Sequence, residues 1–245
     1  MKKILLLSYV LLMVSCTTSS SPKNELNVLI EQYQNYSKER TKKTPLGDYR
    51  ESRFEKYATF CDSLQTELEA ISLAGLDEND QLSYELLRFK LHETAVQYKF
   101  KTHWNPILSD AGFHSSLTYR VRPITSKKAA LDYLNLLKAI PTFIEQQTEL
   151  ITKGLDAGIG QPLIIFDGYA STYEQHITDT AEANFYYSPF LKLPDPISLT
   201  EKDSLRQAAK KVIIELVVPS FEKVKAFFEE TYYPKTRTAI GVSEI

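Results

Sequence analysis

Four histidines, His92, His103, His114 and His176, are the first place to look for chemistry in this chain. A zinc site built on a helix needs two of them four residues apart, so that both imidazoles project from one face. A Glu between them then activates water. The His-Glu pair here is His92-Glu93, and the residue four beyond His92 is Val96, so the motif is absent. His92, His103 and His114 recur at intervals of eleven, which would suit one long helix, but Pro106 and Gly112 interrupt it. No serine lies in Gly-x-Ser-x-Gly. Gly154-x-x-x-Gly158-x-Gly160 lacks the Lys-Ser/Thr that a phosphate loop carries. Glu229-Glu230 reads as a solvated helix face, and His176 as a surface or boundary residue. The expectation is no catalytic residue, no metal ligand and no cofactor within this chain.

One short group remains. His103-Trp104-Asn105-Pro106 sets an imidazole, an indole and a carboxamide beside a proline turn. Together with His114 these residues could line a substrate cleft. They could equally form a structural turn, with Asn105 on nearby backbone and Trp104 plugging the core.

These residues depend on the helices around them. The stretch from Leu76 to Pro106 opens with a helix that Asp77 can cap and that has apolar residues on two sides. Leu82, Leu86, Phe89 and Val96 fall on one side, and Tyr84, Leu87, Leu91, Ala95 and Tyr98 on the other. A helix apolar on two faces is expected to be covered on both, so this one is placed at the centre of the array. Before it come Asn24 to Arg40 and Glu51 to Ile71, the latter with Phe54, Tyr57, Cys61, Leu64 and Leu68 on one face. After it, Ser116 to Val121 alternates weakly and could make one short strand. Thr125 or Ser126 starts a long helix to about Leu155, with Pro141 expected to kink it. Pro162 to Ile177 is expected to be another helix. Asn184 to Ser198 reads as a proline-punctuated aromatic loop. A last helix follows, with Thr200 and Asp203 as a capping box and a kink at Pro219. The fold expected is all-α: a multi-helix array, a central helix packed on two faces and at most one short strand. It occupies residues 24–245 as a single domain.

Residues 1–15 read as an export signal: Lys2-Lys3, an apolar run from Ile4 to Val14, then Ser15. The run is short of the roughly 20 apolar residues that span a bilayer. Met13-Val14-Ser15-Cys16 resembles a bacterial lipobox, which makes Cys16 the lipidation site and residues 16–23 a tether. The expected location is the bacterial cell envelope, with the membrane as partner through the lipid anchor. Cys61 is then the other cysteine, expected to be a buried thiol without a disulfide partner. Without Lys2 and Lys3, 27 Lys and Arg face 31 Asp and Glu. That balance excludes the basic footprint of a nucleic-acid binder.

The pieces LDENDQLSYELLRFKL, HWNP, ALDYLNLLKAIP, TKGLDAGIGQP, YYSPFLKLP and VVPSFEKVKAFFEETYYPKTRTAIGVSEI, in this order and spacing, resemble the bacterial domain-of-unknown-function 885 family. The resemblance implies a helical lipoprotein similar to zinc metallopeptidases. It also implies that the His-Glu zinc motif follows a segment like Thr238–Ile245, in a C-terminal half. On that reading the chain corresponds to the family's helical N-terminal half, truncated before the metal motif. It would be inactive alone, with zinc entering only alongside that half as a partner. A non-catalytic lipoprotein binding a peptide or small ligand, through the aromatic residues near Trp104 and Phe185–Phe190, is the alternative.

Overall fold

A computed structural model describes residues 20–42, 44–107, 112–237 and 240, apart from the side chains of 39–42. Cys16 and the whole export signal lie outside the described residues, as do the final five. Eight α-helices appear among the described residues. They are α1 (Pro22–Lys42), α2 (Glu51–Glu69), α3 (Glu78–Lys99), α4 (Lys127–Asp156), α5 (Ser171–Glu174), α6 (Ser188–Leu191), α7 (Leu199–Val212) and α8 (Val218–Ala226). The fold is all-α. Among the described residues the β-type pairing is an isolated parallel bridge from Pro162 to Arg237.

The buried apolar residues form two clusters. The smaller joins α1, α2 and α3 through Leu26, Leu29, Cys61, Leu64, Leu68, Tyr84, Leu87 and Leu91. Helical spacing on α2 explains it, since Ala58, Cys61, Leu64 and Leu68 fall on one side and are buried there. The larger cluster wraps α4, whose Ala130, Tyr133, Leu134, Leu137, Ile140, Phe143, Ile144 and Ile151 are buried in it alongside α7, α8 and the aromatic connections. Tyr173, Tyr186, Phe190, Phe221, Phe228 and Tyr232 fill it. Full burial of one such side chain contributes about 1.5–3 kcal/mol.

Caps fix the starts. The Asp77 carboxylate accepts from Asp80 N at 2.9 Å, and Ser126 Oγ accepts from Ala129 N at 3.1 Å. At α7 the capping box is Ser198 with Glu201, two residues ahead of the expected Thr200 and Asp203. Leu199 rather than Glu201 thereby becomes the first helical residue.

Other expectations are corrected. α3 is covered on one face: Tyr84, Leu87 and Leu91 are buried, whereas Leu82, Leu86 and Phe89 are each about 60% exposed. Ser115–Arg120 is a 3-10 turn, not a strand, with Leu117 driven into the larger core. Pro162 to Ile177 breaks into a 3-10 turn at Leu163–Phe166 and the single turn α5, because Gly168 takes a left-handed φ of 71° between them. Asn184 to Ser198 includes two short turns that bury Tyr186, Tyr187 and Phe190, while Phe185 and Leu191 stay exposed. As expected, α4 runs on through Pro141. Pro219 follows a π-helical segment, Ile213–Val217, which accommodates the hydrogen bond that proline cannot make.

Candidate functional site

Glu51, the first residue of α2, anchors a polar knot with the turn that follows α3. After α3 the chain turns at Lys101, whose φ of 54° is left-handed and unusual for a side chain with a Cβ. The following 3-10 turn, Thr102–Trp104, aims His103 and Trp104 back at α2. Trp104 Nε1 donates to Glu51 Oε2 at 2.7 Å, and His103 Nε2 lies 3.2 Å from both carboxylate oxygens. Lys101 Nζ is 3.7 Å from Glu51 Oε1 and sits 3.8 Å above the Tyr98 ring. The His103 ring is stacked between Phe54, centroids 4.3 Å apart, and Tyr98 at 5.5 Å.

Glycine at 154 lets α4 hold this turn from behind. A Cβ there would meet the Trp104 carbonyl oxygen at 2.6 Å, closer than any side chain can come. Gln146 of the same helix accepts from the Tyr49 backbone N at 2.8 Å, securing the approach to α2.

The protonation states follow from the surroundings. Burial disfavours charge on Glu51, but the Trp104 indole, His103 and Lys101 together outweigh it and hold the carboxyl below its usual range. Burial pulls His103 down, against the opposing pull of Glu51. At neutral pH a neutral imidazole therefore donates Nε2–H to a carboxylate.

In front of the knot lies a groove of about 420 Å³ between α1, α2, α3 and α4. Tyr33, Tyr57, Tyr98, Phe54 and Tyr49 give it aromatic walls, and His103 forms part of its floor. Lys90 and Glu93, paired at 3.0 Å, stand on the α3 side and present both charges.

Of the four residues proposed for a cleft, His103 lines this groove. Trp104 stands behind it on Glu51, and Asn105 is half-buried at the end of the turn. His114 belongs to the other core. It is fully buried, with Nε2 2.8 Å from Thr172 Oγ1. The Thr172 hydroxyl donates to the Tyr169 carbonyl at 2.7 Å, so His114 must be the donor to Thr172. Its Nδ1 then carries a buried lone pair with no hydrogen bond among the described residues. Burial and, secondarily, His176 push its pKa down to about 3. His176 is also a core residue and not a boundary one: it packs 4.5 Å from Phe221, and burial lowers its pKa to about 4.

Zinc does not fit these residues. Among the described residues no three His, Cys, Asp or Glu side chains converge, and His92 is exposed on α3 while His103 lines the groove and His114 sits in the larger core. Cys61 is buried in the smaller cluster. Sequence reasoning missed Glu51, Lys101 and the tyrosines of the groove. Glu51 looks like any acidic residue in a first helical turn, and nothing local points to a partner 53 positions away.

Comparison with known proteins completes the picture. A crystal structure of a protein from Colwellia psychrerythraea, provisionally described as a lipoprotein, superposes with a TM-score of 0.68 at 17% identity. The match covers 89% of this chain and 42% of that one, so the chain spans less than half the length of its structural neighbour. At that identity the likeness shows the fold alone. No curated protein matches. Residues 32–243 match the family described as "Bacterial protein of unknown function (DUF885)", and the chain belongs to that family.

Proposed function

We propose that this chain is the ligand-binding helical part of an exported DUF885 lipoprotein, anchored through Cys16, and that it binds short peptides without hydrolysing them. The observation that carries the reading is the groove before the Glu51–His103–Trp104 knot. It combines stacked aromatic walls with a fixed Lys90–Glu93 pair that suits a zwitterionic ligand. The neighbour from Colwellia psychrerythraea, described as a lipoprotein, supports the envelope location. Zinc-dependent hydrolysis, which the family's similarity to metallopeptidases implies, belongs in this reading to sequence beyond the region matched here.

Trp104 is the chain's single tryptophan, and its indole is held by Glu51 next to His103, which lines the groove. Short peptides bearing an aromatic residue should change its fluorescence saturably, and Tyr98→Ala should weaken that response at least tenfold. A response that never saturates, or one indifferent to Tyr98→Ala, refutes the binding site. Separately, turnover of a peptide by the purified chain with zinc, abolished by a chelator, would refute the non-hydrolytic part.

A further inference from the structure

The uncovered side of α3 is not a random scatter of apolar residues. Leu82, Leu86, Phe89, Val96 and Phe100, with Glu93 among them, follow one another at alternating spacings of four and three. That is the heptad spacing by which two helices supercoil. Leu82, Leu86 and Phe89 are about 60% exposed, and Phe100 65%. The stripe runs about 27 Å along the helix, opposite the side that Tyr84, Leu87 and Leu91 bury. A seam of this length is a docking surface and not the ordinary isolated exposed leucine.

We infer that its occupant is α3 of a second copy of this chain, packed antiparallel about a two-fold axis. The charges favour this partner. In an antiparallel pair Leu82 faces Phe100 of the second copy, Leu86 faces Val96, and Phe89 faces the aliphatic stem of Glu93. Glu85, which also pairs with Arg88 of its own chain at 2.6 Å, and Lys99 flank the seam on the same side near its two ends, so the two-fold axis brings each Glu85 near a Lys99, twice over. Near the axis, Lys90 and Glu93 already pair within one chain at 3.0 Å. Turning the second copy over adds a matching pair, so four charges alternate in sign. Parallel pairing would instead set Glu93 against Glu93 inside the seam, which costs stability. Opposed flanking charges are what fix orientation in such helix pairs.

The inference goes beyond the ligand-binding reading and does not rest on it. Lys90 and Glu93 belong to both surfaces, so the second copy would border the groove without filling it.

Sedimentation velocity of the full chain over a wide concentration range tests the pairing. A monomer–dimer equilibrium is expected. Leu86→Asp should abolish the dimer while the circular dichroism spectrum and melting temperature of the monomer stay as before. Glu85→Lys or Lys99→Glu alone should weaken the dimer on the order of tenfold, and the two together should restore it. A chain that stays monomeric at every concentration overturns the inference, even if the stripe captures some other protein. So does a dimer that survives Leu86→Asp, or a double charge swap that fails to restore pairing.

Discussion

The cluster of α1, α2 and α3 and the core around α4 use the same residue classes and the same helical spacing, yet one is thin and the other thick. In the first, three helices lie side by side and α3 keeps its second apolar face in solvent. In the second, α4 is wrapped by α7, α8 and a run of aromatic turns, which send Tyr169, Tyr173, Tyr186 and Phe190 into the core. The difference also separates the titratable groups. His103 sits at the border of the thin cluster with a carboxylate beside it, whereas His114 and His176 are sealed inside the thick one without a charged partner. Thin packing leaves a groove and a free face on which function can be built. Thick packing leaves buried imidazoles that only stability can report.

Acid should expose this difference most strongly. His114 and His176 have pKa values pushed down to about 3 and about 4, so the unfolded chain binds protons that the folded one refuses once pH falls below about 6.5. Their contribution is therefore complete above that value and is lost progressively as pH falls toward 4. Together they should remove roughly 4–5 kcal/mol between pH 6 and 4, read from urea unfolding at a series of pH values. His176→Leu, which cannot titrate, should take away close to half of the slope that belongs to these two groups. An unchanged slope would mean the thick core is open to water.

Next in size is Phe228→Ala. The Phe228 ring meets Phe113, His114, Phe166, Tyr169 and Tyr173, so its loss should cost about 3–5 kcal/mol in equilibrium unfolding. Glu51→Ala tests the border between the regions. It strips Trp104 Nε1 and His103 Nε2 of their acceptor, for an expected loss of about 1–3 kcal/mol and a shift in Trp104 emission. Stability unchanged within error would show that water replaces the carboxylate freely. Smallest of all, Phe89→Ala on the exposed face of α3 should alter the stability of the isolated monomer by less than about 0.5 kcal/mol. A larger loss would mean that this face is packed against something within the same chain.

Much of the architecture was legible because it is local. Helical spacing marked α1, α2, α3 and α4 to within a few residues, and Asp77 signalled its helix, as Thr125 or Ser126 did the next, through side-chain chemistry that acts over three positions. The aromatic stretch around Asn184 was misread because its prolines announce a loop and say nothing about depth. His176 was misplaced for a similar reason: a lone polar residue beside Ile177 gives no sign that Tyr186 and Phe221 will close over it. Of the site, His103 and Trp104 stood out as rare residue types next to a turn. Glu51 did not, being one acidic residue among 31 Asp and Glu.

By itself the sequence determined the all-helical class, the helix start at Asp77 and the absence of a paired-His zinc motif, since each depends on residues within a few positions of one another. Tertiary structure alone decided which apolar face of α3 is buried, which histidines meet a charge, and that Glu51 closes the turn at Trp104. Those outcomes depend on contacts between segments tens of residues apart. Periodicity marks a face as apolar, but only the packing of other helices determines whether anything covers it.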